Sequence, residues 1–339
     1  MNKCFITKLP SSVDNDNLPV LGQLRINWLK QNNLTDNASR AIQLGTNDSI
    51  TVKVSGAHFT DDTLASNLGS TKTITNADGL VWLWVSNDAD AILTIDNKYS
   101  LTCINFVRPS KELVERAVYF DIDDIRYCTN LTQLVAMETK ISGDIDAISN
   151  LTTLENINLI DTQVSGDISA ISNLTKLTNI GLSNTKVSGD ISALSKLTNL
   201  SMINLSNLQL NGDVSVLSNI VNLTDLSGLQ GNSLTGDMSK IPANVSYISQ
   251  GNRKIKTNFT WTANGRQNAT LLTMSNAVPF DTVSMDNMLI DQATCTYKPS
   301  SATWKNVIDV KGTRTSASDA AVTSIQNKGV TIIGVTKQA

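Results

Sequence analysis

The sequence predicts a multidomain chain: an all-β sandwich at the N-terminal end, a parallel-stranded α/β solenoid in the middle, and an irregular α/β cap behind it. Three observations carry this. Residues 1–108 hold short β-rich runs separated by Asn, Asp and Gly turns, residues 131–256 repeat with a fixed period, and residues 257–339 alternate strand-like and helix-like segments. Residues 109–130 fall between the first two as linker and N-terminal cap. With 339 residues the chain has room for about two domains or a third.

In the first region, Leu24–Trp28, Ser49–Val54, Val81–Val85, Ala91–Ile95 and Thr102–Phe106 read as five strands of a small antiparallel sandwich or barrel. Trp82 and Trp84 fall on one face of their strand, and the alternates Val81, Leu83 and Val85 are apolar too. Both faces should therefore be covered, by a second sheet or by a neighbouring subunit. Trp28, Trp82 and Trp84 are the candidate docking or oligomerisation residues. Pro109 to Asp124 reads as a linker with a helix over Glu112–Val118.

The middle region declares its period through Gly-Asp pairs at 143/144, 166/167, 189/190, 212/213 and 236/237, spaced by 23, 23, 23 and 24 residues. Leu151, Leu154, Ile157, Leu159, Val164 and Ile168 recur as Leu174, Leu177, Ile180, Leu182, Val187 and Ile191, and a third copy runs from Leu197 to Val214. One such unit cannot bury its own apolar stripe, so neighbours must stack into a continuous core. The unit starting at Leu131 reaches its Gly143 early, which marks it as a shortened end unit.

These residues resemble the leucine-rich repeat, L-x-x-L-x-x-L-x-L-x-x-N/T-x-L, with Thr162, Thr185 and Asn232 at the polar position. The tail Val187-Ser188-Gly189-Asp190-Ile191 is similar to the L-x-G-x-I-P segment of the plant-type subclass, with Ser192 in place of the proline. The resemblance covers Leu131 to Asn252 and implies binding on the concave face, through residues alternating with the strand leucines. The candidates are Asn156, Asn158, Asn179, Ser183, Asn204 and Ser206, with Ile160, Gly181 and Met202 beside them. Aromatic and Arg anchors, which dominate protein hot spots, are missing there. The face is then either scaffold or a contact for polar ligands such as glycans.

The aspartates of the Gly-Asp pairs admit two readings. Asp144, Asp167, Asp190 and Asp213 either cap helical turns through backbone N–H groups or, stacked, hold calcium between units. Asn-x-Ser/Thr at Asn130, Asn150, Asn173 and Asn222 matches a glycosylation acceptor, but a core leucine fills its middle position, so repeat geometry accounts for it. Behind the array, Thr270–Met274, Val307–Val310 and Val330–Val335 read as strands, and Asp281–Ala293 and Ser316–Lys328 as helices. Ser318-Asp319 is the start signal of the second helix and Gly329 its stop.

Composition excludes several functions. Lys and Arg number 27 against 30 Asp and Glu with no basic cluster, so nucleic acid is not an expected partner. His58 is the single histidine, and Cys4, Cys103, Cys128 and Cys295 lie far apart, which removes His-based triads, His-rich metal sites and paired-Cys chemistry. Asp121, Asp123 and Asp124 could serve a glycan-cleaving carboxylate pair, but a linker run of Asp is expected to be a solvated surface. No enzyme, cofactor or metal is expected. No apolar run reaches membrane-spanning length, and the first residues do not read as a signal peptide.

The segments Lys3–Leu9, Asn17–Gly22 and Lys311–Ala321 resemble parts of structural proteins, of head or tail fibre type, from crAss-like tailed bacteriophages of Bacteroidales. That resemblance implies a virion protein with capsid or tail proteins as partners, sister copies as homodimer or homotrimer, and a host-surface glycan as a further contact. The competing expectation is a bacterial leucine-rich repeat surface adhesin.

Overall fold

The computed structural model describes residues 23–28, 41–55, 57–60, 67–85, 91–106, 118–242, 245, 247–249, 258–260, 271–273, 280–295 and 307–338. Its N-terminal strands are β1 (Leu24–Trp28), β2 (Ala41–Thr46), β3 (Ile50–Ser55), β4 (Phe59–Thr60), β5 (Thr71–Ile74), β6 (Val81–Val85), β7 (Ala91–Asp96), β8 (Leu101–Phe106) and β9 (Val118–Tyr119). They pair antiparallel in two arrays, ordered β5-β3-β7-β1-β9 and β4-β6-β2-β8. Period-two alternation sends Ala91, Leu93 and Ile95 from one array and Ile42 and Leu44 from the other into a common core. Strand β2, absent from the sequence expectation, is central in its array. Its Gly45 has a local reason: a Cβ there would sit 2.8 Å from Leu80 Cδ2 and Thr102 Oγ1. The helix expected over Glu112–Val118 lies outside the described residues except for Val118, which is a strand residue.

The repeat forms rungs of two short strands each: β10 (Gln133–Val135) with β11 (Ser142–Asp144), β12 (Asn156–Asn158) with β13 (Gln163–Asp167), β14 (Asn179–Gly181) with β15 (Lys186–Asp190), β16 (Met202–Asn204) with β17 (Gln209–Asp213), and β18 (Asp225–Ser227) with β19 (Ser233–Asp237). First strands stack in parallel in one sheet and second strands in another. A single 3-10 turn closes each rung, for example Ile168–Ile171 and Ile191–Leu194. The expected ladder positions from Leu151 to Val214 are buried throughout. Each Gly-Asp pair has one physical cause: Gly189 has φ +114°, and a Cβ on it would meet Asp167 Oδ1 of the previous rung at 2.7 Å.

The first rung is not shortened. The period extends back to Asp121, with Ile122, Ile125, Cys128 and Leu131 matching Ile145, Ile148, Leu151 and Leu154. The shortening arises from aligning Leu131 with Leu151, because Cys128, fully buried, fills the leucine position. The residue one period before, where later rungs have their aspartate, is Lys98, so Phe120 stands where later rungs need glycine.

Both N-terminal arrays run on into the solenoid. Strand β8 pairs antiparallel with β2 and parallel with β10, which makes one 13-stranded sheet out of the second array and the rungs. In the other layer, Lys140 N donates to Val118 O (3.0 Å) and Ser142 N to Phe120 O (3.3 Å), joining β9 to the edge of the second-strand sheet. Lys98 Nζ on Asp124 O and Asn130 Nδ2 on Tyr99 O stitch the junction further.

Strands β20 (Tyr247–Ser249), β21 (Asn258–Thr260) and β22 (Leu271–Thr273) carry the two sheets onward. Helix α1 (Thr282–Thr294), β23 (Val307–Arg314), α2 (Asp319–Asn327) and β24 (Thr331–Lys337) then replace the turns by helical crossovers, with β23 and β24 parallel in the long sheet. Asp281 caps α1 through Ser284 N (2.9 Å). Ser318 does not cap α2 with its side chain. Its hydroxyl donates instead to the buried Asp286 of α1, which also accepts from Thr315 N and Thr315 Oγ1. Burial opposes the charge of Asp286, but Ser318, Thr315 and nearby Arg314 together hold its carboxyl below the ordinary value.

Candidate binding face

Alternation along the first strands buries Ile157, Ile180 and Ile203 and turns their neighbours to the open side of the long sheet. Two rows result. One runs Gln133, Asn156, Asn179, Met202, Asp225 in successive strands. The other runs Val135, Asn158, Gly181, Asn204 and, because the sheet is continuous, reaches backwards through Asn105 and Gln43 to Trp82.

Four of the six expected concave residues, Asn156, Asn158, Asn179 and Asn204, are half-buried in these rows. Ser183 and Ser206 are not open: they are 4% and 6% exposed. Both hydroxyls donate to Asn204 Oδ1, and Ser206 N donates to Ser183 Oγ at 2.9 Å. They lie two residues past the strand, where the chain turns inward and the next rung covers them. Met202, 47% exposed, is the open apolar residue of the face. Trp82 is half-buried on β6, opposite Gln43. Trp28 and Trp84 have strand partners on both sides, and their side chains lie outside the described residues.

Gln43, Asn105 and Gln133 were missing from the sequence-based candidates. Asn105 Nδ2 donates to Gln43 Oε1 at 3.1 Å across 62 residues of sequence, and no local signal announces such a pair. Continuing the Asn156 column back one rung would have found Gln133.

The aspartate ladder caps. Asp144, Asp167, Asp190 and Asp213 each accept from the N–H two residues on, at 2.9, 2.8, 2.8 and 2.7 Å. The Ser169 N–H is the main cause that holds the Asp167 carboxyl below its usual value. Among the described residues no three His, Cys, Asp or Glu side chains converge in a metal-holding group. Asp121, Asp123 and Asp124 are not linker: Asp121 caps the first turn, and Asp123 pairs with Arg126, which also reaches Asp146 of the next rung (3.1 Å). Burial raises the Asp124 carboxyl, and Asp121 and Asp123 add to that. Burial also pushes the Cys103 and Cys128 thiols up to about 11 and about 12, so both stay protonated and inert. Among the described residues, no helix is long and apolar enough to cross a membrane.

Asn232 shows how the polar position works. Thr139 and Thr162 donate to the carbonyls three residues before them, Ala136 and Leu159. The third copy has Leu208 there, leaving Leu205 O unserved, and Asn232 of the next rung donates to it at 2.8 Å. Asn232 also donates to Leu229 O (3.0 Å) and accepts from Leu210 N (3.1 Å).

Stacked strand–turn–strand rungs with leucine ladders and a polar Thr/Asn position are the architecture of a leucine-rich repeat solenoid. Solved structures similar to the chain include a TDR receptor (TM-score 0.48, 18% identity, 64% of this chain and 36% of that one) and the plant peptide hormone receptor RGFR1 in complex with RGF2 (0.43, 18%, 64% and 41%). The LRR ectodomain of the receptor kinase SOBIR1 from Arabidopsis thaliana aligns over a shorter stretch (0.33, 24%, 39% and 74%). The chain thus spans well under half the length of the first two. No family model and no curated protein matches the sequence.

Proposed function

We propose that the chain is a non-enzymatic virion structural protein of a tailed bacteriophage, a surface fibre or decoration protein, with a head fibre favoured. In this reading residues 1–108 act as a sandwich-type foot that docks on capsid or tail proteins and on sister copies, as dimer or trimer. The solenoid, whose period starts at Asp121 and which is closed by residues 257–339, projects outward and offers its open sheet face to the host surface or its glycans.

The observation that carries the reading is the unbroken 13-stranded sheet. A sheet that passes from the antiparallel array through every rung without a hinge is a spacer, able to hold a face at a fixed distance from its base. The face itself is made of uncharged amides rather than nucleophiles or acid–base pairs, which suits contact and not turnover. The segment Lys311–Ala321, which resembles phage structural proteins, forms the end of β23 and the start of α2. Arg314, Asp319 and Lys337 pair there and Thr315 and Ser318 clamp Asp286, a purely architectural use.

Peptide mass spectrometry of density-gradient-purified particles tests the reading. Peptides of this chain should co-migrate with capsid protein at a constant ratio. Their confinement to bacterial envelope fractions would replace it with the surface adhesin.

A further inference from the structure

We infer that a neutral glycan binds where the antiparallel array meets the first rungs, stacked on Trp82 and hydrogen-bonded by Gln43, Asn105 and Asn158. The inference rests on the surface-contact half of the proposed function and not on the particle.

The geometry comes first. Trp82, Gln43, Asn105, Val135 and Asn158 occupy successive strands of one sheet in register. Four strand steps at about 4.8 Å give a track of about 19 Å. Leu83 and Val85 fill the core, so alternation puts Trp82 on the same open side as the amides. Gln133 and Asn156 widen the track in the neighbouring row.

The chemistry then selects the ligand. A pyranose has one apolar C–H face and a rim of hydroxyls that both donate and accept. An indole ring supports the first, and primary amides, with two donors and an acceptor each, serve the second. Asn105 and Gln43 are already fixed by their mutual hydrogen bond, so ordering them on binding costs little. No Lys, Arg, Asp or Glu stands in either row from Trp82 to Met202, and charge first enters at Asp225. An anionic polymer would gain nothing here. A protein partner would look for several aromatic and Arg anchors, and among the described side chains of the track there is one aromatic.

The test uses the full chain and soluble polysaccharides, with dextran, mannan and arabinogalactan as neutral probes and polygalacturonate and heparin as anionic ones, followed by calorimetry and tryptophan fluorescence. At least one neutral polymer should bind with little salt dependence. Trp82→Ala should weaken it about tenfold, Trp82→Phe should recover part, and Gln43→Ala should weaken it severalfold with an unchanged melting temperature. The Gln43→Ala and Trp82→Phe arms keep the test decisive if Trp82→Ala does not fold.

Binding of anionic polymers alone, of no polymer, or of a neutral polymer indifferent to both positions overturns the inference. So does attachment to Bacteroidales cells that survives periodate oxidation of their glycans but is lost on protease treatment, which would point to a protein partner. Particles that carry the chain while its Trp82 and Gln43 variants bind glycans normally would sink this site and leave the virion reading standing. Trp82-dependent glycan binding by a chain absent from particles would do the reverse.

Discussion

The antiparallel arrays and the parallel rungs share one sheet, yet they are held together in opposite ways. In the rungs the bonds from one rung to the next span about 23 residues: Thr178 N donates to Glu155 O, Ser201 N to Thr178 O and Thr224 N to Ser201 O. In the arrays partners are remote and out of order, β3 beside β7 and β1 beside β9. A stack of near-identical neighbours distributes its stability rung by rung, whereas the arrays stand or fall as a unit. The junction at β8 joins a local building principle to a non-local one without a gap in the hydrogen-bond ladder.

The largest test of this contrast places a charge in each core. Leu182→Asp and Leu93→Asp both bury an unpaired carboxylate at a fully buried site, each costing on the order of 5 kcal/mol. Hydrogen exchange should show Leu182→Asp opening the adjacent rungs while the arrays stay protected. Leu93→Asp should expose both arrays together. Equal spread in the two variants would erase the distinction.

Asn232→Ala comes next. It strips partners from Leu205 O, Leu229 O and Leu210 N at once, and leaving such groups buried costs about 3 kcal/mol. Chemical denaturation should read this out.

Glycines sharpen the comparison further. Gly189→Ala forces a positive φ and meets Asp167, at a cost of about 2 kcal/mol, part of which the Asp167→Ala background should return. Gly45→Ala needs no positive φ and meets the ends of two side chains that can turn away, Leu80 and Thr102, with Cys103 Cβ at 3.2 Å behind them, so the array glycine should be the cheaper of the two, at about 1 kcal/mol.

Acid gives the smallest effect. The carboxyls of Asp167, Asp281 and Asp286 are held below their ordinary 3.8, so their stabilisation is complete above that value and is lost as pH falls through the lowered one. Exchange followed from about pH 5 down to about pH 2 should show rungs and helical end loosening before the arrays. In the arrays Asp78 alone among the described carboxyls is lowered, in an exposed turn.

Legibility in the sequence followed the same division. The period, the Asp caps and helices α1 and α2 could be read because their determinants sit within one repeat or one turn. The start of the solenoid was misplaced because Cys128 imitates nothing in the leucine pattern and Phe120 replaces a glycine that only a preceding aspartate would require. Strand β2 escaped because Gln43 and Gly45 are poor strand formers alone and are explained only by Asn105 and Leu80, far away in sequence. For the same reason Trp82 looked like a docking residue, and its place in the row of amides emerged only with the register.

The joined sheet also fixes how the molecule bears load. Its hydrogen bonds run along the direction in which rungs accumulate, so tension applied between the two ends opens one strand pair at a time instead of shearing many together. Each rung released pays out 23 residues, about 80 Å of slack. Such a tether yields stepwise under a pull and re-forms when the pull relaxes.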